Sequence, residues 1–259
     1  MARRTESTPT TLLPALKTHL WFASCPEPLQ QALIDRSRLW YLRSGESLFG
    51  RGEANESLCC VVAGALKLGS VDPRDGSHLL TLYVEPYHWF GEIALIDRMP
   101  RSQDAVADMD STVLVVSGKS MEDWLCEHPQ YWRDIARLAC GKLRLMLTAM
   151  EDNATLPIEQ RLVRRLLFAA TNFGQSTTTE IRRHLRLPQE YLARMLGVSR
   201  QTVNKVLRSL ENEQVLALHY AEVEILDIMA LAAKAGMVDP ALGVTLPTHN
   251  DDGQSPRHD

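Results

Sequence analysis

Apolar positions recur at helical spacing on both sides of one glycine. Leu192, Met195 and Leu196 stand before it, and Val203, Val206, Leu207 and Leu210 after it, so each flank predicts a helix with one buried face. Gly197 falls where the first helix must stop in a backbone conformation that is costly with a side chain. Ser199 is placed to cap the second helix, and Ala193 is small enough to let the two helices cross closely. The five positions Ala193, Gly197, Ser199, Val203 and Val206 coincide at the spacing of a helix-turn-helix. Its second helix offers Ser199, Arg200, Gln201, Thr202, Asn204 and Lys205 as candidate DNA contacts. An ordinary helical hairpin with a glycine turn is the competing reading.

The rest of the pattern divides in two. Between 44 and 120, short β-rich runs at 58–62, 65–71, 79–84 and 112–116 alternate with turns at Gly45, Gly52, Gly64, Gly76 and Gly91, which predicts a small antiparallel barrel or sandwich. Residues 129–153 then change period. Trp132, Ala136, Ala139, Leu143, Met146, Met150 and Asn153 recur at alternating spacings of 4 and 3, with Ile135, Leu138 and Leu145 as a second stripe beside them. One stripe can pack on the barrel and leave the other for a partner helix. The expected seam of a homodimer is Trp132, Ala139, Leu143, Met146 and Met150.

Charge supports the DNA reading. From Pro157 to Tyr220 there are ten Lys and Arg against five Glu and no Asp, a local net of +5 in a chain of net -4, which leaves -9 elsewhere. That asymmetry points to a polyanion for one part of the molecule only. Arg161, Arg164 and Arg165 could equally form a solvated helix face. No apolar run is long enough to span a membrane, and the opening MARRTESTPTT has no apolar stretch behind its basic residues, so the expected address is cytoplasmic. The five cysteines, Cys25, Cys59, Cys60, Cys126 and Cys140, make no metal-ligand spacing. Cys59 and Cys60, adjacent on a strand, face opposite sides and read as core filler. His78 and His88 stand without ligand spacing, and no metal is expected. The absence of a nucleophile elbow, a zinc-protease motif, a Walker loop or paired carboxylates argues against an enzyme.

One segment carries further chemistry: Phe90–Ala107, FGEIALIDRMPRSQDAVA. A glycine ahead of a short helical turn leaves backbone N–H groups free for an anion, the fork of Arg101 suits a phosphate, and Glu92 can accept from a ribose hydroxyl. The order of parts, a glycine-punctuated β-roll containing FGEIAL and PRS, a long helix and then a helix-turn-helix, resembles the Crp/Fnr family of bacterial transcription regulators from about Leu16 to Asp227. The resemblance implies an α+β fold. Its parts are a disordered start (1–12), a sensor β-roll (13–128), a dimerisation helix (129–153), a winged helix-turn-helix (154–228), and a C-terminal helix with a disordered tail (229–259). It also implies double-stranded DNA and a second copy of the chain as partners, RNA polymerase as a further one, Arg200 as the leading base contact, and a wing over His219–Leu226. Gly91, Glu92, Arg101 and Ser102 match the family's phosphate-and-ribose cassette, which makes a cyclic nucleotide the cofactor to test.

Departures from the family pattern cluster near that pocket. Gln103 replaces a small alanine, Tyr87 and His88 replace a Gly-Asp turn, and Met146 and Leu147 stand, by ungapped count, where a polar pair meets the base. The alternative is that Glu92 and Arg101 satisfy each other as an ion pair that holds the cassette closed.

Overall fold

The computed structural model describes residues 3–4, 9–71, 78–171, 182–220 and 222–236. It opens with β1 (Arg3–Arg4), a 3-10 turn (Pro9–Leu12) and three short helices, α1 (Leu13–Leu16), α2 (Leu20–Ser24) and α3 (Glu27–Asp35). Arg3–Arg4 thus pairs with the sheet inside a stretch expected to lack order. The strands β2 (Ser37–Leu42), β3 (Ser47–Phe49), β4 (Leu58–Ala63), β5 (Leu66–Val71), β6 (His78–Val84) and β7 (Trp89–Phe90) follow. Helix α4 (Glu92–Asp97) interrupts before β8 (Asp104–Ala107) and β9 (Ser111–Val116). Next come α5 (Gly118–Glu127), a 3-10 turn (Pro129–Tyr131), the long α6 (Trp132–Thr155) and α7 (Ile158–Ala170). The last part is β10 (His184–Leu185), α8 (Gln189–Leu196), α9 (Arg200–Asn212), β11 (Leu216–His219), β12 (Glu222–Ile225) and α10 (Ile228–Ala235).

Two antiparallel sheets make the β-roll, in the orders β1-β2-β9-β4-β7 and β3-β8-β5-β6. Strand β4 is apolar on both faces because both are covered. Leu58 and Cys60 enter a core built with α2, α3, α5 and the start of α6, whereas Cys59 and Val61 enter the space between the sheets beside Phe49, Phe90 and Val113. Adjacent Cys59 and Cys60 therefore serve different cores, as their alternation predicts, and burial pushes the Cys59 thiol up to about 11 and raises that of Cys60 well above its ordinary value. Neither is a thiolate at neutral pH.

Helix α6 shares its apolar positions among two cores and an exposed face. Ile135 and Leu138 are buried against the roll, and Leu145 packs on the C-terminal core. Trp132, one of the residues expected on the seam, is half-buried and packs on the roll core with Trp124 and Tyr131. Leu143, Met146, Leu147 and Met150 remain 56%, 55%, 50% and 66% exposed.

The C-terminal core joins α7, α8, α9 and α10 to a three-stranded sheet, β10-β12-β11, and takes in Ala65 and Tyr83 from the roll. The wing hairpin pairs Leu216 with Ile225 and His219 with Glu222, so its strands begin before His219. Asp227 caps α10 by accepting from the Met229 and Ala230 amides. Of the stretch 229–259, expected to hold a C-terminal helix and a disordered tail, residues 237–259 lie outside the described residues, as does the Gly76 turn. Arg161, Arg164 and Arg165 do not form a solvated face. Arg164 pairs with Asp152 and donates to the Ala235 carbonyl, Arg161 donates to Asn153 at 3.4 Å, and Arg165 lines a small cavity with Tyr83 and Glu85.

Candidate nucleic-acid interface and sensor cassette

The helix-turn-helix forms where its local signals demand. Gly197 ends α8 at φ 65°, a left-handed conformation natural to glycine. The Ser199 hydroxyl accepts from the Thr202 amide at 3.1 Å and so satisfies a free N–H at the start of α9. Val203, Leu207 and Leu210 are buried against Leu192, Ala193 and Leu196. This leaves Arg200, Gln201 and Lys205 exposed on the outer face, with Arg208 a turn further on. The other three candidates are engaged within the motif itself, Ser199 exposed and Thr202 and Asn204 half-buried. Ser199 and Thr202 share a hydroxyl–hydroxyl contact at 2.9 Å, and the Asn204 amide donates to Gln189 Oε1 at 3.0 Å. Gln189 was not legible as a partner, since only the crossing of α8 on α9 brings it near.

The cassette is assembled around Arg101, which is 4% exposed. Its Nη1 donates to the Gly91 carbonyl at 3.0 Å, and its Nη2 donates to the Ser57 carbonyl, to Ser57 Oγ at 2.9 Å and to Asn55 Oδ1 at 3.3 Å. The guanidinium also lies 4.0 Å over the Phe49 ring, a cation–π contact. Its Nε has no acceptor, and no carboxylate pairs with it among the described residues. Gly91 is required twice over. Its φ is 91°, and a Cβ there would sit 2.7 Å from both Arg101 Nη1 and the Ser57 carbonyl.

Glu92, 2% exposed, pairs with Lys142 of α6 at 2.7 Å. The expected Glu92–Arg101 ion pair is thereby replaced: the carboxylate turns to the long helix and the guanidinium to backbone carbonyls. Ser102 is exposed and Gln103 half-buried. Tyr87, in the place of the family's glycine turn, takes the left-handed conformation itself at φ 66°, an uncommon choice for a bulky residue. Its amide is anchored to the Val61 carbonyl at 2.7 Å. Met146 and Leu147 lie on the exposed face of α6. The sequence reading missed Asn55, Ser57 and Lys142. The segment Glu53–Ser57 has no period to mark it, and the lysine sits on a helix read for its apolar stripes.

Two family models match the chain in the order of these parts. The cyclic nucleotide-binding domain matches residues 39–128, and the Crp-like helix-turn-helix domain matches 160–234. The chain belongs to the Crp/Fnr family. This Crp-type transcription regulator is 27% identical over 191 residues to a CRP-like cAMP-activated global transcriptional regulator of Mycobacterium tuberculosis, a match covering 74% of this chain and 85% of that one. It is 29% identical over 229 residues to the HTH-type transcriptional regulator Cmr of the same species, covering 83% and 87%. Among solved structures, FixK2 from Bradyrhizobium japonicum shares the fold with a TM-score of 0.65 at 20% identity, covering 76% of this chain and 96% of that one. Among the described residues no helix is long and apolar enough to cross a membrane.

Proposed function

We propose that this regulator works as a homodimer joined along the exposed face of α6 and reads a two-fold palindrome with its two α9 helices, each set in a major groove. The observation that carries the reading is the free outer face of α9, where Arg200, Gln201 and Lys205 stand exposed on a capped helix whose other side is locked to α8. Arg200 reads a guanine through its O6 and N7, and Gln201 and Lys205 read the neighbouring positions. Ser199, Thr202 and Asn204 act as the frame of that face. RNA polymerase is the partner through which the bound dimer alters transcription, and the chain is a regulator with no catalytic role of its own. A gel-shift titration in salt tests the reading. Arg200→Ala should lose sequence preference, and the wild type should show the steep salt dependence that phosphate contacts produce. Binding insensitive to salt would refute it.

The cassette tunes this activity through a small anionic effector. With Arg101 already bonded to its own loop and Gln103 beside it, cyclic AMP should bind weakly. A cyclic-nucleotide sensor is the second reading. It is favoured by the buried Arg101 charge, which has no carboxylate partner among the described residues, and by its vacant Nε hydrogen. Calorimetry separates the two: micromolar or tighter cyclic AMP binding, lost in Arg101→Ala, establishes the second.

A further inference from the structure

Two polar ties fasten the DNA-reading half to the sensor sheet, and neither belongs to the cassette or to the face of α9. Asp108, directly after β8, receives the Tyr191 hydroxyl of α8 on Oδ1 at 2.6 Å and the Tyr83 hydroxyl of β6 on Oδ2 at 2.8 Å. The Lys67 ammonium of β5 closes the cluster, 2.9 Å from Oδ1. The Tyr83 and Tyr191 rings lie 5.6 Å apart, and Lys67 also stands 5.6 Å over the Tyr191 ring. The second tie joins Arg182, ahead of β10, to the buried Glu85 after β6, with both arms of the guanidinium on both carboxylate oxygens at 2.7 and 2.9 Å. Such charge-assisted, two-pronged bonds fix orientation as well as distance.

One contact is a pivot, and a second restricts the rotation about it. Helix α8 is the member of the helix-turn-helix that carries Tyr191, and α9 is packed rigidly on α8. We infer that Asp108 and Tyr191 are positioning residues for DNA recognition: with Glu85 and Arg182 they fix the angle at which the reader stands on the sensor half, and hence the separation of the two recognition helices in the dimer. This rests on the dimer reading above. It gives β8 a second task, because that strand leads from the cassette to Asp108, so the anion seat and the reader are joined through one element of the sheet.

Half-site spacing is what such a device controls, and a residue needed only for stability would not change it. The experiment uses the full chain in fluorescence anisotropy. Its probes are the palindrome recovered by selection from random DNA, the same half-sites moved one or two base pairs closer or further apart, and a single half-site. Tyr191→Phe removes one hydroxyl and leaves the ring in place. Asp108→Asn keeps the shape, and Arg182→Lys keeps the charge but loses the fork. Tyr191→Phe combined with Arg182→Lys should lose about tenfold in affinity at the preferred spacing, as expected for two lost hydrogen-bonded contacts. It should lose less at the others, so that the spacing profile flattens while half-site affinity and dimerisation stay at wild-type values. An unchanged profile in the combined variant overturns the inference alone, and so does a parallel loss on the single half-site. A wild type indifferent to spacing overturns the dimer reading and the inference with it.

Discussion

Leu143 and Met146 lie side by side on an apolar face that none of the described residues of the protomer covers, and replacing both with glutamate should dissolve the proposed dimer. With Leu147 and Met150 they are each half or more exposed. Full burial of such a side chain is worth about 1.5–3 kcal/mol, so covering the remaining half yields roughly 1 kcal/mol each and about 8 kcal/mol across both protomers. The double substitution removes half of that gain. It also places four carboxylates in a seam where charge loses hydration without gaining a partner, a further cost of at least several kcal/mol. A total above about 5 kcal/mol weakens association by more than about a thousandfold. Sedimentation velocity at micromolar concentration should show wild-type dimers and variant monomers that no longer bind the palindrome. A variant dimer of unchanged stability would refute the reasoning, as would a monomeric wild type.

Acid sensitivity and the turn glycine give two further expectations. Burial pushes His19 down to about 3 and His88 to about 4, with Lys142 beside both and Glu85 and Arg182 facing His88. Between the ordinary value of 6.5 and those folded values, the unfolded chain binds the extra protons, so stability rises with pH and is lost as pH falls below 6.5. At about 1.4 kcal/mol per unit for each group, the pair costs up to about 4 kcal/mol on going from pH 7 to pH 5. Urea unfolding at the two pH values should show the loss, roughly halved in His19→Asn; equal acid sensitivity in both chains would count against it. Gly197→Ala meets no neighbour within 4 Å, so its cost is that of the left-handed backbone alone, about 1–2 kcal/mol less a few tenths from a stiffer unfolded chain. A neutral or stabilising result in the same assay would mean that the turn is not held at that φ.

What was legible in the sequence is what short range decides. Gly197 and Ser199 act within a few residues of themselves, so the helix-turn-helix can be read directly, and the turn glycines mark the long strands β4, β5 and β9 to within a residue or so. The length of α6 follows from its period. Which core each inward position serves does not, because Ile135 and Leu138 meet the roll whereas Leu145 meets the C-terminal core. Two-residue strands such as β7 and β10 have no period to read. The cassette shows the same limit. Glu92 and Arg101 are visible in the motif, but the groups that hold them come from Lys142 and Ser57, more than forty residues away on either side. Arg164 reads as a surface charge until Asp152, twelve residues earlier on α6, is brought against it.

Selection from random DNA with the wild type and with Gln201→Glu tests the central claim most directly. The wild type should recover a two-fold palindrome with half-sites one helical turn apart and a guanine opposite Arg200. Glutamate accepts where the glutamine amide both donates and accepts, so Gln201→Glu should keep that guanine and move the neighbouring preference toward cytosine, a change worth about 1–3 kcal/mol of discrimination. Recovery of no palindrome, or of the same half-site by both proteins, would contradict the assignment of α9 as the base-reading helix.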